Sequence, residues 1–131
     1  MNVPPGFSAI TPYLFADGAD ALLRFLIDGL GGELRLCHRR PDGMIGNAQV
    51  RIGPASLMLS EASADWPAMP ASLYLYVADA DAAMQRAMAA GAQAVMPVAD
   101  QPYGDRQGGV RDPAGNLWWI SQRLVDGPYT D

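Results

Sequence analysis

An α+β fold built from two copies of one strand-helix-three-strand module is what this sequence predicts, and three observations predict it. The segment Tyr13-Leu14-Phe15-Ala16-Asp17-Gly18-Ala19-Asp20-Ala21 returns as Tyr74-Leu75-Tyr76-Val77-Ala78-Asp79-Ala80-Asp81-Ala82, every position at an offset of 61. In both copies a short run with aromatic and branched residues passes into an Asp/Ala-rich stretch and then a helix-period pattern that stops at glycine. Three further strand patterns follow each helix. Two copies are too few for a solenoid, so they pair as halves of one compact domain, and the cleft between them is the natural ligand site.

Residues 7 to 16 read as a strand, and Asp17 to Leu30 as a helix with Ala21, Leu22, Phe25, Leu26 and Leu30 on one face. Gly31-Gly32 stops that helix. Glu33 to Arg40 alternates Leu34 and Leu36 with polar neighbours, Pro41-Asp42-Gly43 makes a turn, and Met44 to Ile52 completes a hairpin. Gly53-Pro54 breaks the chain before a strand over Ala55 to Glu61. Residues 62 to 71, rich in Ala and Pro and with Trp66 at their middle, carry no periodic signal and separate a module over 7–61 from one over 72–124. The second module reads as strand 72–78, helix 79–90 with Ala83, Met84, Ala87 and Met88 inward, and strands near 93–98, 103–111 and 116–123. Asp112-Pro113-Ala114-Gly115 has the preferences of a type I turn. The tail after Leu124, with Gly127-Pro128, reads as loose.

A chain of 131 residues, half of them hydrophobic, suits a single domain over residues 1–131. Its formal charge of -5 argues against the phosphate-neutralising surface that nucleic acid requires. The one cysteine, Cys37, excludes an intrachain disulfide and a multi-cysteine zinc site. No basic, apolar leader opens the sequence, and no run approaches the ~20 residues that span a bilayer. A cytoplasmic protein with no membrane partner is the expectation.

Ile10-Thr11-Pro12-Tyr13-Leu14, Ile52-Gly53 with Leu57-Met58-Leu59-Ser60, Tyr103-Gly104-Asp105-Arg106 and Arg111-Asp112-Pro113-Ala114-Gly115-Asn116-Leu117-Trp118-Trp119-Ile120 give the chain a resemblance to the vicinal oxygen chelate superfamily. That superfamily groups glyoxalase I, bleomycin-resistance proteins, fosfomycin-resistance enzymes and extradiol dioxygenases, and the wording is most similar to its PhnB-like, glyoxalase-like branch. The resemblance covers about residues 8 to 123. It implies two βαβββ modules whose mixed sheets curl around a shared cleft, commonly in a homodimer, either side by side or swapped. It does not fix the chemistry, since several reactions share the scaffold.

Catalytic relatives hold a divalent metal on His, Glu or Gln side chains, the nitrogen and oxygen donors such ions need. The resemblance places those ligand positions at Ile10, Ser72 and Trp119, and none of the three ligates normally. Asn47 and Asn116 stand where the PhnB-like branch often has His. The chain's single His, His38, neighbours Cys37, and adjacent strand residues face opposite ways. No metal, no cofactor and no catalytic residue are therefore assigned. Asp79 is expected to cap its helix, and Asp105 to pair with Arg106 or Arg111 or to bind backbone.

Residues of the same parity as the ligand positions line the cleft: Ile10 and Pro12 from the first strand, Ser72, Tyr74 and Tyr76 from the fifth, Leu117, Trp119 and Ser121 from the last. Trp66 is placed to close over the opening, Asn47 joins the lining, and Trp118 falls on the core side. Arg106 offers a two-point contact for a carboxylate or phosphonate, whereas the acidic total charge favours a cation. The expected ligand set is Ser72, Tyr74, Tyr76, Trp119, Trp66, Arg106 and Asn47. The expected function is metal-free binding of a small aromatic or apolar molecule in the manner of bleomycin resistance, which leans away from an enzyme. Two alternatives stand beside it: a metal-dependent lyase or dioxygenase of the glyoxalase kind, and a protein-interaction module with a collapsed cleft.

Overall fold

The computed structural model describes residues 1–131, and the chain runs twice through strand, helix and three strands. The first module contains β1 (Tyr13–Ala16), α1 (Ala19–Asp28), β2 (Glu33–Arg39), β3 (Ile45–Ile52) and β4 (Ala55–Glu61). The second contains β5 (Ser72–Tyr76), α2 (Ala80–Ala89), β6 (Gln93–Asp100), β7 (Asp105–Arg111) and β8 (Leu117–Arg123). Each forms a four-stranded mixed sheet, ordered β1-β4-β3-β2 and β5-β8-β7-β6. The outer pair is parallel in both, Tyr13 opposite Met58 and Tyr74 opposite Trp119, so the offset of 61 survives in the register.

Strand alternation decides what each face carries. In β1 and β4, Leu14, Ala16, Leu57 and Leu59 point to the helix side, where Leu22, Phe25 and Leu26 of α1 meet them. In the second module Trp118, Ile120 and Val110 meet Met84 and Ala87 of α2. All of these belong to one continuous core, so the modules share their apolar interior. A guanidinium adds a tie between the helices, with Arg86 Nε donating to the Asp28 carbonyl at 2.8 Å.

The repeat also preserves a helix cap that reaches across from the sheet. Glu61, the last residue of β4, accepts from the backbone N–H of Ala19 at 2.9 Å, and Gln122 of β8, 61 residues later, accepts from Ala80 at 3.0 Å. Free N–H groups at a helix start need such acceptors. Asp79 adds a second cap to α2, accepting from Ala82 N–H at 3.1 Å, as expected. Its counterpart Gly18, at φ +84°, offers no side chain, so α1 depends on Glu61, which also accepts from Gly18 N–H at 3.0 Å.

Two segments differ from their sequence reading. The first strand is confined to Tyr13–Ala16, and Ile10, read as part of it, lies outside and is 88% exposed. Pro12 supplies only a carbonyl there, accepting from Met58 N–H at 2.9 Å, and a strand cannot extend its ladder through a residue without an N–H. The tail after Leu124, read as loose, folds back on the second sheet, with Tyr129 Oη donating to Asp105 Oδ2 at 2.6 Å. No helix is long and apolar enough to cross a membrane.

Candidate functional site

Away from its helix each sheet presents an open face, and the two faces carry separate depressions. That of the second sheet, about 550 Å³, is lined by Ser72 and Tyr74 of β5, Met96 of β6, Gln107 of β7, Trp119 of β8 and the nearby Tyr103. Its floor is Trp119. The indole lies against Gly109 of the neighbouring β7, where an added Cβ would meet ring carbon Cζ3 at 2.8 Å. The ring nitrogen Nε1 donates to Ser72 Oγ at 2.9 Å. Strand parity, an absent side chain and one hydrogen bond thus hold a flat ring in a fixed place. Tyr74 and Tyr76 follow on the same face, their rings 5.3 Å apart.

At one end of this face Asp105 is 0% exposed and carries three donors. Tyr74 Oη and Tyr129 Oη each donate to Oδ2 at 2.6 Å, and Arg123 Nη1 donates to Oδ1 at 3.0 Å. Burial pushes the Asp105 carboxyl up, but the hydrogen bonds from Tyr129, Tyr74 and Arg123 outweigh it and hold the group below its ordinary 3.8. Burial and then the bond to Asp105 raise Tyr74 above its ordinary 10.0, and Asp105 and then Tyr76 raise Tyr129. The carboxylate stays ionised and the phenols stay neutral. Beside it Gln107 accepts from Tyr103 Oη and donates to Ser121 Oγ at 2.7 Å.

The first sheet's depression, about 340 Å³, is lined among others by Tyr13, Phe15, Arg40, Ser60 and Trp66. Trp66 is 65% exposed and stacks on Phe15, ring centroids 6.3 Å apart and planes 24° apart. Asn47 stands on the same face and donates to Tyr13 Oη at 3.3 Å.

Of the residues proposed from the sequence, the fold brings Ser72, Tyr74, Tyr76 and Trp119 together on one face and sets Trp66 and Asn47 on the other sheet. Arg106 is a correction. It falls on the helix side, where Nε and Nη2 donate to Asp81 at 2.9 and 3.0 Å and Nη1 donates to Asp100 at 2.9 Å. Those carboxylates raise its pKa and engage Nε, Nη1 and Nη2, so the guanidinium makes a salt-bridge network on the helix side instead of facing the depression at Trp119. Asp105 pairs with Arg123, not with Arg106 or Arg111, because its parity turns it to the open face. Ile10 and Pro12 line a cavity of about 140 Å³ at the module junction, with Leu73, Leu75 and Trp118. Trp118 is buried as expected.

Sequence reasoning missed Asp105, Gln107 and Arg123 as face residues. Extending the parity of Trp119 and Ser121 two positions reaches Arg123, which was a readable signal. Tyr129, beyond the last strand, had none.

A resident divalent metal does not fit these residues. Ser72 Oγ is engaged by Trp119, Ile10 lies outside the sheet, and no three His, Cys, Asp or Glu side chains cluster to hold an ion. Asn116 is buried and structural: its Oδ1 accepts from Ala71 N–H at 2.8 Å and its Nδ2 donates to Asp112 Oδ2 at 2.9 Å. Asp112 also accepts from Trp118 Nε1 at 2.8 Å, which locks the last turn to the core.

Paired βαβββ modules, each with a depression on the open face of its sheet, define the scaffold. The chain belongs to the Glyoxalase/Bleomycin resistance protein/Dioxygenase superfamily, whose pattern matches residues 7–120. It is 33% identical to an uncharacterized protein of Mycobacterium bovis over 136 aligned residues, covering 93% of this chain and 86% of that one. Among solved structures it is similar to TioX from Micromonospora sp. ML1, with a TM-score of 0.75 and 28% identity over 89% of this chain and 99% of the other. It shares its fold with TnmS3, an antibiotic binding protein from Streptomyces sp. CB03234, at a TM-score of 0.69 and 23% identity over 88% and 98%.

Proposed function

We propose that this chain binds a small, flat aromatic or apolar molecule on the open face of its second sheet, without a metal. The observation that carries the reading is Trp119, seated on Gly109 and held by Ser72 beside an unfilled depression. A ring fixed before the ligand arrives loses little freedom on stacking, so more of the contact energy is available for affinity. The use of the same fold by an antibiotic-binding protein supports the reading at the level of the scaffold.

The chain works as a homodimer. Leu34, Leu36, Met44, Met69 and Tyr76 are exposed apolar side chains, and a second copy packed on them would take that surface out of water. An exposed free Cys37 suits the reducing cytoplasm. Sedimentation equilibrium checks the dimer. A thermal-shift screen of flat aromatic compounds checks the binding: ligands of the folded state must raise the melting temperature by mass action, and silence across the screen would overturn the proposal.

A further inference from the structure

The segment after β8 turns at Gly127 and comes back over the second sheet. Arg123 Nη2 donates to the carbonyls of Gly127 and Pro128, each at 3.3 Å. This brings the Tyr129 ring over the Arg123 guanidinium, 4.1 Å from its carbon to the ring centroid. Its hydroxyl reaches Asp105 and also lies 2.7 Å from that of Tyr76. An aromatic ring stacked on a cation, with its hydroxyl on a buried carboxylate, is the full set of contacts by which a protein grips a phenol.

Resting on the binding function above, we propose that Tyr129 occupies a ligand subsite, and that the ligand carries a neutral hydroxyaryl group which takes its place on Asp105 and Arg123 while the tail moves out. Three features favour a subsite over a fixed structural contact. Every residue from Leu124 to Asp131 is exposed, so the tail is held by its polar contacts to Arg123 and Asp105 and not by packing into the core, and a ligand that replaces those contacts can displace it. Tyr74, which shares Asp105 Oδ2 with Tyr129, also lines the depression floored by Trp119, where the rest of a ligand would lie. Removal of the Tyr129 hydroxyl leaves a buried carboxylate short of a donor, and an incoming hydroxyl restores it.

The charges select the ligand. Asp105 and Arg123 neutralise one another, so neither a carboxylate nor an ammonium gains a net attraction there to offset the cost of losing its water. A neutral hydroxyl escapes the cost of desolvating a charge. The opposed expectations of an anionic and a cationic ligand are thereby replaced by an uncharged donor.

The probe is p-cresol, the Tyr129 side chain itself, with 4-methylanisole as the analogue that cannot donate. In the full-length Tyr129→Ala variant the subsite is empty, and p-cresol should bind about tenfold more tightly than to the unaltered chain, where the tail competes. Its amide shifts should centre on Asp105 and Arg123. A gain below about threefold, or an equal gain for 4-methylanisole, overturns the proposal. On the unaltered chain, saturating p-cresol should send the Thr130 and Asp131 amides to random-coil positions, and tail amides that stay in place while p-cresol binds also overturn it. If flat aromatic compounds bind at Trp119 and p-cresol shows no gain, the subsite alone is lost. If the aromatic screen is silent, the broader function falls with it.

Discussion

At matching register the first sheet sets Tyr13, Phe15 and Ser60 on its open face, and the second sets Tyr74, Tyr76 and Ser121. In the first module Met58 stands between Tyr13 and Gln49, whereas in the second Trp119 stands between Tyr74 and Gly109. A side chain at Gln49 leaves no bed for a flat ring, and the bare backbone of Gly109 provides one. The buried Asp105 cluster likewise has no partner in the first sheet, whose titratable neighbour Glu61 is spent on capping α1. Two modules of one topology thus differ in their open faces while sharing one core: only the second has a rigid aromatic floor with a polar anchor at its end.

Asp105→Ala tests that division most severely. It strands the Arg123 guanidinium and two phenols and should cost about 3 kcal/mol in urea unfolding. The same cluster sets the pH response. Because the folded-state pKa of Asp105 is depressed, its stabilisation is complete above the ordinary 3.8 and is lost as pH falls through the lower folded value. Because those of Tyr74 and Tyr129 are raised, their stabilisation is complete below 10.0 and fades as pH rises beyond it. Asp105→Ala should reduce both limbs without abolishing them, since Asp20 and Asp81 are also depressed and burial still raises Tyr74, and a variant whose profile matches the parent would break the account.

Gly109→Ala comes next. Its Cβ would stand 2.8 Å from the Trp119 ring, so the indole must shift; overpacking of this kind costs about 1–2 kcal/mol and should remove aromatic binding. Gly53→Ala, in the first module's turn, has nothing within 4 Å of the new Cβ; its φ of +56° makes the change cost some stability, but binding should be unchanged. The smallest contrast lies in the caps. Glu61→Ala removes the sole side-chain cap of α1 and should cost about 1 kcal/mol, and Gln122→Ala should cost less because Asp79 still caps α2. Equal losses in thermal unfolding would show that the two helix starts do not differ.

The repeat at an offset of 61 was enough to read the architecture, because strand and helix periods and the glycines that end them are local signals. Parity was enough to put Ser72, Tyr74, Tyr76 and Trp119 on one face. Arg106 was misplaced because a Gly-Asp-Arg motif does not reveal which of two adjacent residues faces the sheet's open side; the Asp does. Tyr129 was illegible for a different reason: its position depends on a tail folding back across sequence to Asp105, a long-range contact with no periodic trace. Trp66 was read as closing the same opening as Trp119, and only the tertiary arrangement shows that it stacks on Phe15 of the other sheet.

The account is tested most directly by titrating an aromatic compound from the screen, in the presence of a chelator, into Trp119→Ala and Trp66→Ala side by side. It predicts that binding survives the chelator, falls more than about tenfold in Trp119→Ala and holds in Trp66→Ala. Binding that requires a divalent ion, or that is lost with Trp66 and kept without Trp119, would contradict it.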